Sequence, residues 1–213
     1  MIRLLIADDH AVVRAGLKNI LEETRDITVR AEASTGPEVI EQVRKETFDV
    51  ILLDIFLPKK NGFEVLKSLK VFKPRLPILI LSINPEAQFA IRFIKAGAAG
   101  YLTKWAEPAE LVKAIRTVAA GKRYITSSLG ERLALYFDDD IDTLPHEKLS
   151  DREYEVFLML AEGKSTHDIA EALSLSPNTI STYRARIFEK MHLENVAQLI
   201  HYAIKYDLVD LAV

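Results

Sequence analysis

Cysteine is absent from the 213-residue sequence. Its absence excludes a disulfide framework, a thiolate metal site and a cysteine nucleophile, and it fits a reducing cytoplasm. Long apolar runs are absent too, because none approaches the roughly 20 residues that a membrane-spanning helix needs. Asp8 and Asp9 interrupt the only apolar run at the N-terminus, so the features of a signal peptide are missing. We therefore expect a soluble protein of the cytoplasm that has no membrane partner.

Net charge is small, at −3 at pH 7. This value argues against a protein that coats nucleic acid without sequence preference, but it leaves room for a local basic patch. Hydrophobic residues make up 49% of the chain and charged residues 28%, a balance that allows buried cores beneath a charged surface. A chain of this length is expected to form two units of roughly 100 residues each.

Short apolar runs alternate with helical patterns in the first part of the chain. Continuous apolar runs suit strands that are buried on both faces of a parallel sheet. They lie at residues 2–7, 49–53 and 78–81, and weaker runs at residues 29–33 and 99–102 bring the count of predicted strands to five. Between them, apolar residues recur at helical spacing, as in Val13, Leu17 and Leu21. With right-handed crossovers, this pattern predicts a doubly wound α/β domain with a five-stranded parallel sheet over residues 1–123.

The pattern loosens over residues 124–147, which we interpret as a linker. Its acidic residues are Asp138, Asp139, Asp140 and Asp142, and Pro145 follows them. The linker need not be wholly flexible, because apolar residues at helical spacing open it, namely Leu129, Leu133 and Tyr136.

The segment 148–213 carries only helical patterns. Ser150 and Glu153 form the S-x-x-E box that caps a first helix, and Gly163 is placed to end that helix. Further helices are predicted at residues 166–173, 177–191 and 196–206, the third of the four being capped by Ser176. Four short helices with a tight turn between the second and third predict a small all-α, helix-turn-helix domain that binds DNA.

Five reactive side chains follow predicted strands of the first domain. Asp8 and Asp9 come after the first strand, Asp54 after the third, Ser82 after the fourth and Lys104 after the fifth. Because the carboxyl ends of parallel strands meet at one edge of a sheet, we expect these side chains to converge there. Three neighbouring carboxylates repel one another and call for a cation or for raised pKa values. A divalent cation is the simpler answer, and oxygen ligands in a half-open site suit Mg²⁺.

The chemistry expected at this edge is phosphoryl transfer. An aspartate carboxylate can attack phosphorus and form an acyl phosphate, while the cation and Lys104 neutralise the transferred charge and Ser82 donates a hydrogen bond to it. Taken singly, Asp8 or Ser82 has the simpler interpretation of a helix cap, and Lys104 that of a solvated surface lysine. Coincidence is a poor explanation for the whole set.

The first 123 residues resemble a response-regulator receiver domain, with its flavodoxin-like fold. The matching motifs are DDH, VILLD followed by Pro58, LS and YLTK, in this order and spacing. The resemblance implies that Asp54 is the phosphoacceptor. It also implies that Asp9 binds Mg²⁺ directly, that Asp8 supports the ion and that the backbone carbonyl of Phe56 is the third protein ligand. Ser82 and Lys104 would be the phosphate-sensing pair and Tyr101 the switch aromatic.

Two features depart from the receiver pattern. Trp105 follows Lys104 where many receivers have proline, and the loop after Asp54 contains Lys59 and Lys60. We expect the two lysines to add positive charge near the site, with an influence on phosphodonor choice or phosphoryl lifetime.

The third helix of the second domain has two faces. Apolar spacing places Ile180, Tyr183, Ile187 and Met191 against the neighbouring helices. The opposite face carries short polar or basic side chains that can reach bases and phosphates in a major groove, namely Asn178, Ser181, Thr182, Ala185 and Arg186. A solvated helix face is the alternative interpretation of these residues.

Residues 148–213 resemble the LuxR-type output domain of the NarL/FixJ response regulators. Together with the receiver resemblance, this likeness covers essentially the whole chain. The motif positions are Glu153, Gly163, Ile169, Ala170, Leu173, Ser176, Thr179 and Ile180. The resemblance implies that Ser181, Thr182 and Ala185 face the bases and that Thr166, Thr179, Arg186 and Lys190 contact the DNA backbone. Acidic residues outnumber basic ones in this domain, so positive charge is local, and Lys164 adds to it.

The last helix contains more apolar surface than a core of three short helices needs. Its apolar residues are Val196, Leu199, Ile200, Ala203 and Ile204. The resemblance implies a homodimer formed through this helix, which would bind a palindromic site with half-sites about one helical turn apart. Packing within the domain's own core is the alternative.

The resemblance implies a DNA-binding response regulator of a two-component system. A sensor histidine kinase is expected to phosphorylate Asp54, which would control sequence-specific DNA binding and transcription, with RNA polymerase as a further partner. Activation could proceed by release of the output domain or by receiver dimerisation, and the acidic linker residues could contact the basic helix in the inactive state.

Two other classes of function fit the residues less well. A phosphatase of the haloacid-dehalogenase type needs a general acid two residues after its nucleophile, where this chain has Phe56. A scaffold that works without phosphorylation has no need of both Lys104 and Ser82. The protein is not expected to be an enzyme, although a receiver catalyses its own phosphorylation and dephosphorylation.

Overall fold

The computed structural model describes residues 1–83, 86–138, 144–206 and 208–209, without the side chains of 86–88, 132 and 134–138. The chain divides into two compact units between Ala134 and Leu135, inside the segment predicted as a linker. Of the acidic linker residues, Asp139, Asp140 and Asp142 lie outside the described residues, as does the side chain of Asp138. None of the helices in the described ranges is long and apolar enough to span a membrane.

The first unit contains the predicted five-stranded parallel sheet. Its strands are β1 (Ile2–Ala7), β2 (Ile27–Ala33), β3 (Val50–Asp54), β4 (Ile78–Ser82) and β5 (Gly100–Thr103). They are arranged in the order β2-β1-β3-β4-β5. Every residue of β3 and β4 is buried, as expected of strands covered on both faces. The predicted doubly wound fold is therefore confirmed.

Helices cover both faces of this sheet. They are α1 (Ala11–Glu22), α2 (Gly36–Lys45), α3 (Gly62–Phe72), α4 (Glu86–Lys95) and α5 (Pro108–Ala119). Leu4, Leu52 and Leu81 belong to one core with apolar residues of α1 and α5. Because side chains alternate along a strand, the residues next to these three leucines in each strand point to the opposite face of the sheet. A further helix, α6 (Ser127–Asp138), occupies the helical stretch that was predicted to open the linker.

Strand register brings the carboxyl ends of the sheet together. Ala7 lies beside Leu53, which precedes Asp54, and Asp54 lies beside Leu81, which precedes Ser82. Ser82 in turn lies beside Thr103, the residue before Lys104. The loops after β1 and β5 and the ends of β3 and β4 therefore meet at one edge.

The second unit is helical. It contains a 3₁₀ helix (Pro145–Lys148) and the helices α7 (Asp151–Ala161), α8 (Thr166–Ala172), α9 (Pro177–Met191) and α10 (Val196–Lys205). The predicted capping box of Ser150 and Glu153 is present at the start of α7, and Ser176 caps α9. Gly163 has a positive φ of 82°, which suits the end of α7.

The 3₁₀ helix was not predicted, because residues 145–147 were assigned to the linker. His146 is buried in it, and its Nδ1 lies 2.8 Å from the Tyr202 hydroxyl of α10. Its ring also lies near those of Tyr154 and Tyr206. These ring contacts attach the segment to the helical unit.

Candidate functional site

The five predicted side chains converge at the edge of the first unit. Asp8, Asp54 and Ser82 are buried, with exposures of 1%, 3% and 0%. The side chain of Asp9 is 31% exposed and that of Lys104 only 9% exposed. A partly open rim above buried acidic and basic groups is the arrangement that an ion and a phosphoryl group need.

Lys104 bridges two carboxylates. Its Nζ lies 2.9 Å from Asp54 Oδ2 and 2.6 Å from Asp8 Oδ2. Its backbone N–H donates to the carbonyl oxygen of Ser82 at 2.7 Å, which fixes the start of the β5–α5 loop against β4. The ammonium is therefore held where the charge of a group on Asp54 would develop.

The carboxylates and the lysine perturb one another. Burial raises the pKa of Asp54, and the nearby ammonium of Lys104 offsets only part of that effect. Burial by itself would lower the pKa of Lys104, but the charges of Asp54 and Asp8 outweigh it and leave that pKa raised. Lys104 therefore stays charged at neutral pH.

The edge also fits a divalent cation. Asp8 is buried, and its Oδ2 is in ion-pair contact with the Lys104 ammonium. One ligand atom each of Asp8, Asp9, His10 and Asp54 lie within 4.8 Å of one another. His10 was not predicted as a site residue, although its position directly after the two aspartates was an available signal.

The loop after Asp54 is held close to the strand. The backbone N–H of Gly62 donates to the carbonyl oxygen of Ile55 at 2.7 Å, and a Cβ at Gly62 would overlap the carbonyl oxygen of Asp54. The backbone N–H of Phe56 donates to the Asp54 carboxylate. Lys60 Nζ donates to Ser68 Oγ of α3 at 2.7 Å, so this ammonium is bound away from the site carboxylates.

The other residues named from the receiver motif lie on or beside β5. Tyr101 is fully buried next to Ile80 of β4. Trp105, which stands in place of the usual proline, is 79% exposed.

Helix α9, which is the predicted recognition helix of the helix-turn-helix, has the two predicted faces. Ile180, Ile187 and Met191 are buried, and Tyr183 is half-buried. Exposed residues on the opposite side include Asn178, Ser181, Thr182, Ala185 and Arg186, whereas Thr166 and Thr179 are half-buried. The helix therefore presents a row of short side chains to solvent.

Hydrogen bonds within the unit engage several of the predicted DNA contacts. Ser181 Oγ donates to the Pro177 carbonyl and Thr182 Oγ1 to the Asn178 carbonyl, each at 3.0 Å. Lys190 Nζ donates to Glu153 Oε2 of α7 at 2.6 Å. At the start of α9, Thr179 Oγ1 is 2.8 Å from Ser176 Oγ, and before α8, Lys164 Nζ is 3.0 Å from Glu162 Oε2.

The apolar residues of α10 are used in two ways. Leu199 and Ala203 are buried within the unit, Val196 and Ile200 are half-buried, and Ile204 is 37% exposed. Part of the predicted dimer surface is thus occupied by the unit's own core, and part of it faces solvent.

Both units match known families. Residues 4–116 match the response regulator receiver domain, and residues 147–203 match the luxR family of bacterial regulatory proteins. The chain is 37% identical to the response regulator UvrY of Escherichia coli strain K12 over 209 residues, 98% of this chain and 96% of UvrY. It is 36% identical to the response regulator GacA of Pseudomonas aeruginosa over 213 residues, all of both chains.

Solved structures agree with these matches. The response regulator RcsB of Salmonella typhimurium has a TM-score of 0.68 at 25% identity, covering 96% of this chain and 98% of that chain. RcsB bound to the rprA promoter with the phosphomimetic BeF3⁻ has a TM-score of 0.65 at 26% identity, covering 98% and 100%. The fold and the two matches define a response regulator with a receiver domain and a LuxR-type DNA-binding domain. The chain belongs to the NarL/FixJ family of response regulators.

Proposed function

We propose that a sensor histidine kinase phosphorylates Asp54 and that the phosphorylated receiver controls sequence-specific DNA binding by α9, and thereby transcription. The observation that carries this proposal is the position of Asp54, buried at the end of β3 with Lys104 Nζ 2.9 Å from its Oδ2. The proposed domain limits are 1–123 for the receiver, 124–147 for the linker and 148–213 for the output domain.

Asp54 is the nucleophile of the proposed transfer. One of its carboxylate oxygens forms a bond to phosphorus as the bond from phosphorus to the histidine nitrogen breaks, and the leaving imidazole takes up a proton. Lys104 neutralises charge on the bound group, and Ser82 donates a hydrogen bond to one of its oxygens. Tyr101 is the proposed switch residue, because it is buried on β5 next to β4, which carries Ser82.

The proposed cofactor is Mg²⁺. Asp9 and Asp54 would hold it directly, Asp8 would support it, and the backbone carbonyl of Phe56 would be a further ligand. When bound, it offsets the negative charge of the carboxylates and of the incoming phosphoryl oxygens. The fit rests on the carboxylate oxygens of Asp8, Asp9 and Asp54, which cluster within 4.8 Å of one another.

The proposed DNA contacts lie in two places, on α9 and at or just before the start of α8. They are Lys164, Thr166, Asn178, Thr179, Ser181, Thr182, Ala185 and Arg186. Lys190 is left out of this set because its ammonium is paired with the buried carboxylate of Glu153, whereas the partner of Lys164, Glu162, is 32% exposed and can release it. Related RcsB has been solved as dimers bound to DNA, which supports a homodimer on a palindromic site for this chain.

This role carries further expectations about partners and location. RNA polymerase is a proposed partner of the DNA-bound dimer, and the cytoplasm is the proposed location because the chromosome lies there. Phe56 occupies the position where a phosphatase of the haloacid-dehalogenase type has its general acid, so we propose that any hydrolysis is confined to the protein's own phosphoryl group.

The test is selection from a random DNA pool at fixed salt, with and without Mg²⁺ and a small phosphodonor. The native chain and Asp54→Asn are compared. We expect one palindromic motif, bound more tightly after phosphodonor treatment only when Asp54 is present. A motif whose binding ignores both the phosphodonor and the substitution contradicts control through Asp54. A pool without any enriched motif contradicts the DNA-binding role itself.

A further inference from the structure

His10 stands at the N-cap of α1 but does not cap the helix. Its φ and ψ are −84° and 109°, and its side chain makes no hydrogen bond to the first turn. Residues at this position usually accept a hydrogen bond from the helix backbone. The His10 ring instead lies against the acidic site, with Nδ1 2.6 Å from Asp9 Oδ1 and 3.4 Å from Asp8 Oδ1.

The backbone around His10 is fixed by several hydrogen bonds. The N–H of His10 donates to Asp8 Oδ1 at 2.9 Å, which folds the chain back over that carboxylate. Arg14 Nη1 donates to the carbonyl oxygen of Asp8 at 2.7 Å, and Arg14 Nε donates to Glu32 of β2 at 3.1 Å. The imidazole is therefore attached to a segment that is already ordered at the rim.

The two oxygens of Asp8 face different groups. Oδ2 faces the Lys104 ammonium, whereas Oδ1 faces the backbone and ring of His10. Asp54 also uses its Oδ2 toward Lys104. His10 and Asp9 thus lie on the side of the carboxylates that Lys104 leaves open.

The spacing of these atoms suits a shared cation. Ligands at adjacent corners of an octahedron with bonds of about 2.1 Å lie about 3 Å apart. His10 Nδ1 lies 3.4 Å from Asp8 Oδ1, near that value, and its direct 2.6 Å contact with Asp9 Oδ1 would be replaced by bonds from both atoms to the ion. His10 is also 66% exposed at its side chain, so its ring is accessible to an ion from solvent.

We propose that His10 Nδ1 is a metal ligand and that this receiver binds a first-row transition-metal dication, with Mn²⁺ as the probe, more tightly than it binds Mg²⁺. The inference rests on the proposed cation site and adds a nitrogen ligand to its oxygens. Imidazole nitrogen is a poor ligand for Mg²⁺, which prefers oxygen, whereas first-row transition-metal dications accept it. Mg²⁺ binding therefore does not depend on His10. Mn²⁺ is the probe because it also suits the carboxylate oxygens of the site and its unpaired electrons report a bound ¹⁴N nucleus.

The test uses the full chain without an affinity tag. Free Mn²⁺ is measured by electron paramagnetic resonance during titration, and the bound ion is examined for magnetic coupling to a ¹⁴N nucleus. Mg²⁺ affinity is measured by calorimetry. The chains compared are native, His10→Ala, Asp9→Ala, and His167→Ala as the matched control, since His167 is an exposed histidine of α8.

We expect ¹⁴N coupling in the native chain and in His167→Ala but none in His10→Ala. His10→Ala should weaken Mn²⁺ binding by about tenfold, the scale on which loss of a single metal-site partner acts, and change Mg²⁺ affinity less than about twofold. Bound Mn²⁺ without ¹⁴N coupling, or coupling that survives in His10→Ala, overturns the proposed ligand while leaving the Mg²⁺ site intact. If neither ion binds the native chain, or Asp9→Ala changes nothing, the proposed cation site fails as well.

Discussion

Lys190 and Glu153 form an ion pair between α9 and α7 that was not expected from a DNA-contacting lysine. Lys190 Nζ lies 2.6 Å from Glu153 Oε2, the same oxygen that accepts the backbone N–H of Ser150 at 2.7 Å in the capping box. The Glu153 side chain is 3% exposed and that of Lys190 40% exposed. The lysine therefore stabilises the packing of α9 against α7.

Lys190→Met should lower the free energy of unfolding of the output domain. Removing one partner of a fully buried pair costs about 3–5 kcal/mol, whereas an exposed pair contributes about 0–1 kcal/mol. One partner here is buried and the other is partly screened by solvent, so we expect about 1–2 kcal/mol. For a domain of this size, each kcal/mol corresponds to about 4–8 °C in the midpoint of thermal unfolding.

The same variant separates a structural lysine from a phosphate contact. Each phosphate contact contributes about 0.9 to the slope of log affinity against log salt concentration. Lys190→Met should leave that slope unchanged, and Arg186→Met, at an exposed position proposed to contact DNA, should reduce it by about one contact. Circular dichroism melting and DNA titration over a salt series measure both effects. A reduced slope with unchanged thermal stability in Lys190→Met would refute the reasoning.

Three other predictions follow from the geometry. Gly62→Ala should destabilise the receiver by about 1–3 kcal/mol in chemical denaturation, because its Cβ would overlap the Asp54 carbonyl oxygen. Gly16→Ala is the matched control: apart from the backbone of its own helix and its chain neighbours, no atom lies within 4 Å of the added carbon, and stability should rise by about 0.5–1 kcal/mol, so an equal loss in both variants would count against the overlap. Lys104→Met should abolish Asp54 phosphorylation yet tighten Mg²⁺ binding about tenfold in calorimetry, because it removes about 1.4 kcal/mol of repulsion between the ammonium and the cation. Weaker Mg²⁺ binding would contradict this prediction. For Glu153, burial raises its pKa, but the ammonium and capping hydrogen bonds opposite it outweigh burial and hold the pKa below its usual value. Its stabilising contribution is therefore complete above the unfolded pKa of about 4.5 and is lost as pH falls through the folded pKa, so Glu153→Gln should flatten the loss of stability measured on acidification.

The sheet and the recognition helix could be predicted from the sequence because local patterns define them. The buried runs that became β3 and β4 are apolar at almost every position, and the helix Pro177–Met191 has its cap and its apolar face in adjacent residues. The sequence also predicted that Asp8 and Lys104 lie close together, because the carboxyl ends of parallel strands meet at one edge of a sheet.

The features that escaped prediction depend on partners far along the chain. The 3₁₀ helix is anchored through His146 and Tyr202, which are 56 residues apart. Lys190 and Glu153 are 37 residues apart, so the helical pattern of α9 alone could not show that the lysine is engaged. For His10 the partners are adjacent, but the direction of its ring follows from the backbone turn over Asp8 rather than from residue type.

Trp105 gives the molecule an optical property. It is the single tryptophan of the chain, it directly follows Lys104, and it is 79% exposed. All indole emission therefore comes from one ring in water at the rim of the acidic edge. A protein or ligand that covers this ring would move the emission to shorter wavelength, so docking at this edge can be followed in unlabelled protein.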